Sequence, residues 1–140
     1  MRRLPSIFQS LRRLVHRPEP APSFLRIHSV GLSLHRPDES VVWAFCWTEV
    51  VLVETYKRDL LVIDMICIEF SVAAHGTPLV AHDDMAGFTE LCNQLHQVLP
   101  GISPDWWRAV AFPPFHTNFA TLFRAVPVDP PEAKAKRQPN

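Results

Sequence analysis

A chain of 140 residues and 16.0 kDa is material for one domain. Its 47% hydrophobic and 20% charged side chains suffice for one core, and the balance of 14 basic and 14 acidic groups excludes a nucleic-acid binder recognised by bulk charge. No run of about 18 apolar residues is present, and the basic N-terminus leads into Arg12 and Arg13 rather than an apolar stretch, so neither a spanning helix nor a secretory signal is expected.

The neutral total hides a gradient. Residues 1–17 carry five arginines and no acid, whereas residues 18–127 carry six basic groups against twelve acids. Such an arm either folds onto its own acidic body or offers its charge to another surface. Ile7, Phe8, Leu11, Leu14 and Val15 recur at helical spacing with Arg12 and Arg13 on the other side, so residues 1–17 are expected to form a basic amphipathic helix. Its two outlets are docking on the domain itself, or lying on anionic lipid or a partner. Alternating prolines make 18–23 a semi-rigid linker, and 127–140 lacks any apolar period and reads as a disordered tail. The domain is thus expected over 24–126.

From Phe24 to His82 the pattern is one of antiparallel strands. Val30, Leu32 and Leu34 alternate with Gly31, Ser33 and His35, and Pro37–Ser40 supplies a turn into Val41–Cys46. A break at Trp47-Thr48-Glu49 precedes a strand from Val50 to Tyr56. Lys57-Arg58-Asp59 reads as a charged turn or bulge before a strand from Leu61 to Val72, and Gly76-Thr77-Pro78 turns the chain into Leu79–Ala81. The regular spacing predicts a meander curled into a sandwich or partial barrel.

A helix follows. Phe88, Leu91, Cys92, Leu95, Val98 and Leu99 form one apolar stripe, ended by Pro100-Gly101, with Asp83 or Asp84 expected as its cap. Ser103–Arg108 reads as a short helical turn, Phe112–Phe115 as a rigid aromatic loop, and Asn118–Arg124 as a last strand.

Trp43-Ala-Phe-Cys-Trp-Thr-Glu-Val-Val-Leu-Val-Glu-Thr55 resembles the strand–turn–strand signature of small bacterial PH-like proteins, whose tryptophan corner plugs the barrel. Thr55–Asp59, Asp64–Phe70 and the helix ending Leu99-Pro100-Gly101 are similar to one subgroup of them. The resemblance covers about Ile27 to Ile102. It implies an α+β fold, an antiparallel partial barrel closed by one C-terminal amphipathic helix. Some members of the wider set are immunity proteins of polymorphic toxin systems, which implies a protein-binding function. The basic loop of phosphoinositide binders is missing here, and Trp106–Arg124 extends past a minimal PH-like domain.

Chemistry finds few footholds in the sequence. Seven histidines show no H-x-x-x-H spacing, and no Cys/His ligand set, nucleophile elbow or glycine-rich phosphate loop occurs, so no metal, cofactor or enzymatic activity is expected. Cys46, Cys67 and Cys92 are an odd set in apolar stretches, which points to buried free thiols in the cytoplasm, a disulfide between two of them being the other reading. Binding surfaces remain. Glu54, Asp59, Asp64 and Glu69 concentrate acid on one hairpin and suit a cationic partner. Trp106, Trp107, Phe112 and Phe115 lead an aromatic cluster stiffened by Pro113 and Pro114, of the kind that anchors protein interfaces. The expected function is therefore a cytoplasmic protein-binding module, such as an immunity-type inhibitor, with a peripheral membrane role for the arm as the alternative.

Overall fold

The computed structural model describes residues 23–60, 63–114 and 116–127. The expected arm, all of the linker but Ser23, Phe115, and the tail beyond Pro127 lie outside the described residues.

Two antiparallel sheets make up the fold. Strands β1 (Phe24–Ile27), β2 (Gly31–His35) and β3 (Val41–Cys46) form the first, in the order β1-β2-β3. Strands β4 (Val50–Asp59), β5 (Asp64–Val72), β6 (Leu79–His82) and β7 (Ala120–Arg124) form the second, in the order β6-β5-β4-β7. Between β6 and β7 lie helices α1 (Phe88–Val98) and α2 (Trp106–Ala111). The strand meander is as expected, but both sheets are open rather than closed into a barrel. Nor does a helix end the fold: the chain returns after α2 and pairs β7 with β4, Val53 opposite Phe123.

The passage between the sheets is a one-turn corner at Trp47–Glu49. Glu49 reaches back to accept the Cys46 N–H at 2.7 Å, which satisfies a donor the turn leaves open. The Trp47 side chain is buried, and its indole N–H donates to the His28 carbonyl at 3.0 Å. Of the two corner tryptophans Trp47 is the one inside, while Trp43 is only half-buried and stacks on Phe45 at 5.7 Å. Phe45 in turn meets Phe70 of the second sheet at 5.1 Å, so aromatic rings bridge the two sheets.

The β2 strand is buried on both faces. Leu32 and Leu34 enter the core. On the other face the Ser33 hydroxyl donates to His35 Nε2 at 2.8 Å, because His35 Nδ1–H is held by the Glu39 carbonyl. Phe24 stacks on His35, Arg26 lies over Phe24, and Arg26 pairs with Glu39 at 3.0 Å. Side chains of β1 thus roof a face that would otherwise be wet.

Helix α1 presents Phe88, Leu91, Cys92 and Leu95 to the core, in the phase read from the sequence. Its cap differs from expectation. Gly87, not Asp83 or Asp84, occupies the N-cap with φ 88°, and no side chain caps the helix. A Cβ there would sit 2.6 Å from the Leu25 carbonyl oxygen, so glycine lets the helix start abut β1. The Leu25 N–H bond to Ala86 O at 2.8 Å ties the two together. Leu95→Ala is expected to destabilise by about 2–5 kcal/mol and Gln94→Ala by no more than about 0.5. Urea midpoints at constant slope check this, and equal effects would reject the helical phase.

Candidate functional site

The β4–β5 hairpin is longer than its composition suggests. Lys57, Arg58 and Asp59 are not a turn but the end of β4, with Arg58 opposite Met65 and Asp59 opposite Asp64. Past the end of β4 the Leu60 N–H donates to Ile63 O at 3.0 Å. Strand alternation then sorts the side chains. Glu54, Tyr56 and Arg58 face outward, whereas Val53, Thr55 and Lys57 face inward.

Lys57 is therefore inside, at 4% exposure. A buried ammonium needs all three of its protons satisfied. Its Nζ donates to Asp64 Oδ2 at 3.2 Å, to the Ala111 carbonyl at 3.2 Å and to the Pro113 carbonyl. Ala111 is the last residue of α2, whose final carbonyls have no intrahelical donor, so the lysine completes that helix end. The backbone N–H of Lys57 also donates to Thr117 O at 2.7 Å. Asn118, at φ 46°, closes the loop from the other end by donating to Val110 O and Pro113 O, both at 3.1 Å. One buried cation and one asparagine clamp the described residues on either side of position 115 onto the hairpin.

That connection carries the aromatic cluster. Trp106 is buried in the core and Trp107 half-buried, with the Arg108 guanidinium 5.7 Å from its ring centre. Adjacent residues of one turn thus diverge, as helical geometry requires. Phe112 and Phe119, at the two ends of the clamped loop, are 56% and 59% exposed. Phe119 stacks on Tyr56 of β4 with ring centres 6.4 Å apart.

The four hairpin acids divide into two ladder pairs on opposite faces. Glu54 stands opposite Glu69 on the outer face, and the Tyr56 hydroxyl donates to Glu69 Oε2 at 3.2 Å. Asp59 stands opposite Asp64 on the inner face. Asp64, expected as a partner contact, has a side chain only 9% exposed and is held against Lys57, so it belongs to the clamp. Lys57, Asn118 and Tyr56 are the residues the sequence reading missed, whereas Phe119 belongs to the aromatic cluster it singled out. An asparagine two residues before a strand and an aromatic following it were the available signals.

Burial shapes the titrations around the site. Desolvation, then the nearby Cys67 and the Glu69 hydrogen bond, push the Tyr56 phenol up to about 12. A phenol whose folded pKa is raised stabilises the fold fully below about pH 10, its unfolded value. That contribution is lost as pH rises through about 12. Tyr56 is the sole tyrosine, so the tyrosinate absorbance near 295 nm should rise in a single step well above pH 10 in the folded protein. A midpoint at 10 would mean the phenol is solvated. Burial, with Asp83 adding to it, likewise pushes the Cys67 thiol up to about 11 and raises Cys92, so neither is a nucleophile at neutral pH. All three cysteines are free, as read from the sequence, but Cys46 is exposed rather than buried.

Among the described residues no group of His, Cys, Asp and Glu is arranged to hold a metal ion, and no helix is long and apolar enough to cross a membrane. What the site offers is two exposed aromatics, Phe112 and Phe119, at the ends of a hydrogen-bonded loop beside the outward pair Glu54 and Glu69. No family model, curated protein or solved structure matches this chain.

Proposed function

We propose that this chain is a non-catalytic, cytoplasmic protein-binding module that docks its partner on the Phe112–Phe119 loop and steers it with Glu54 and Glu69. The observation that carries the reading is the exposure of Phe112 and Phe119 on a backbone clamped by a buried lysine. Exposed aromatics on a fixed backbone bind at low entropic cost, which is what interface anchors require. The facing pair Glu54 and Glu69 supports a cationic partner. Like charges directly opposite on a ladder are destabilising by some tenths of a kcal/mol, and a partner's lysine or arginine relieves that repulsion.

The finer reading, a PH-like inhibitor of the immunity type, draws support from the two antiparallel sheets and the amphipathic helix. The strand β7 after the helices is a departure from that pattern. Free thiols suit a reducing compartment.

The test places a photo-reactive phenylalanine analogue at 112 or 119 of the full chain in its native host. Both positions should capture one and the same protein. Phe112→Ala and Phe119→Ala should each weaken binding to that protein about 10–100-fold with the melting temperature unchanged, and Glu54→Gln/Glu69→Gln should slow association and flatten its salt dependence. Different captures from the two positions, or affinity indifferent to both alanines, would overturn the proposal.

A further inference from the structure

The edge of the first sheet points elsewhere. Among the described residues β3 pairs with β2 alone and its other side is open. Its sequence, Val41-Val42-Trp43-Ala44-Phe45-Cys46, holds no charge, proline or glycine. Natural sheets blunt such edges with charge, proline or shortness, and the other three edges here are blunted. β1 is four residues, carries Arg26 and is tied to Ala86; β6 is four residues and starts after Pro78; β7 ends in Arg124. β3 is the longest of these edges and carries no Asp, Glu, Lys or Arg.

Ladder alternation fixes which groups the edge offers. The Trp47 N–H bonds Val30 O, so in register Phe45 and Trp43 bond Leu32 and Leu34. The N–H and C=O groups of Val42 and Ala44 therefore point away from β2, into the open side. On the solvent face of the same strand Val42 is 41% exposed, and Ala44 and Cys46 are exposed beside it. At the Cys46 end lies a cleft of about 370 Å³ lined by His28, Val30, Ser33, Ala44, Cys46 and Glu49 among others.

We infer that β3 is the self-association edge of this protein, pairing antiparallel with β3 of a second copy about a two-fold axis at Ala44. The axis puts Ala44 opposite Ala44 of the second copy, exchanging two hydrogen bonds, and Val42 opposite Cys46. The Val42 N–H groups then reach the Cys46 carbonyls; the Cys46 N–H is not needed, being already held by Glu49. Two further features select a second copy over another partner. An uncharged strand meets itself without like-charge repulsion, and the acids flanking it are engaged within their own copy, Glu39 with Arg26 and Glu49 with Cys46. The same symmetry also brings the protruding Val42 of each copy against the cleft beside Cys46 of the other, so knob and hollow coincide. The result is a continuous six-stranded sheet. The interface is small, at the weak end of specific interfaces, so the dimer dissociates on dilution.

Sedimentation equilibrium of the full chain over a concentration series tests this, together with crosslinking. The wild type should show a reversible monomer–dimer equilibrium. Ala44→Lys, at an exposed position, should weaken it at least tenfold while leaving the melting temperature within a few degrees. Val42→Cys should form a disulfide dimer through native Cys46 under mild oxidation, since facing residues of such a ladder lie within disulfide reach. Val41→Cys, on the other face, should not, and neither should the wild type, whose Cys46 residues lie far from each other across the axis. A monomer at every concentration without a Val42→Cys crosslink would overturn the inference and assign the edge to residues 1–22 or to a different protein. A dimer indifferent to Ala44→Lys would overturn it as well.

Discussion

Lys57→Met is expected to destabilise the fold by about 3–5 kcal/mol, because it removes the ammonium that pairs with the Asp64 carboxylate in a site that is 9% exposed and takes one donor each from the Ala111 and Pro113 carbonyls. The double variant Lys57→Met/Asp64→Leu removes the buried carboxylate as well and should recover part of the loss, leaving the deficit due to the Ala111 and Pro113 carbonyls. Urea unfolding of the wild type, the single and the double variants gives the comparison, read at constant slope. Amide exchange over 111–118 should accelerate in both variants, since both unclamp the loop. A single variant within 1 kcal/mol of wild type would mean that water solvates Asp64 and that the clamp is weak. The consequence for binding is direct. If the lysine positions Phe112 and Phe119, Lys57→Met weakens the partner complex without touching the partner.

The second large effect is at the corner. Trp47→Ala should cost about 3–5 kcal/mol, from lost transfer of a large side chain and the cavity it leaves between the sheets. Trp47→Phe keeps much of the apolar area but leaves the His28 carbonyl without its indole donor, and should cost less than the alanine. Trp43→Ala should also cost less than Trp47→Ala, since Trp43 is half-buried and chiefly covers Phe45. Guanidinium or urea midpoints rank the three. Should Trp43→Ala prove the most damaging, the core would be centred on the first sheet rather than between the two.

The acids and the aromatics show how far local pattern reaches. Glu54 and Glu69 are placed by strand period alone, and the structure has them facing each other outward. Phe112 and the divergence of Trp106 from Trp107 follow from helix geometry and from prolines in the loop. Lys57 and Asp64 do not. Lys57 reads as part of a charged turn and Asp64 as a hairpin acid open to a partner, and only the ladder register reveals that Lys57 points inward and that Asp64 lies within its reach.

The sequence by itself determined what short-range periodicity encodes. Alternation marked β2 and β3, a 3.6-residue stripe set the buried face of α1, and the Trp47-Thr48-Glu49 break located the corner between the sheets. These depend on neighbours a few residues away, whose side chains share a face by backbone geometry alone. Only the tertiary structure decided the burial of Lys57, whose acceptors stand 7, 54 and 56 residues along the chain. It likewise decided that Gly87 rather than an aspartate starts α1, because β1 passes too close for a side chain, and that β7 returns to β4 after the helices. It left β3 at an edge unpaired among the described residues, with Cys46 exposed. Each of these is set by which distant segments meet, and no local pattern carries that information, since the free energy of a buried charge or an open edge belongs to the pair and not to either strand.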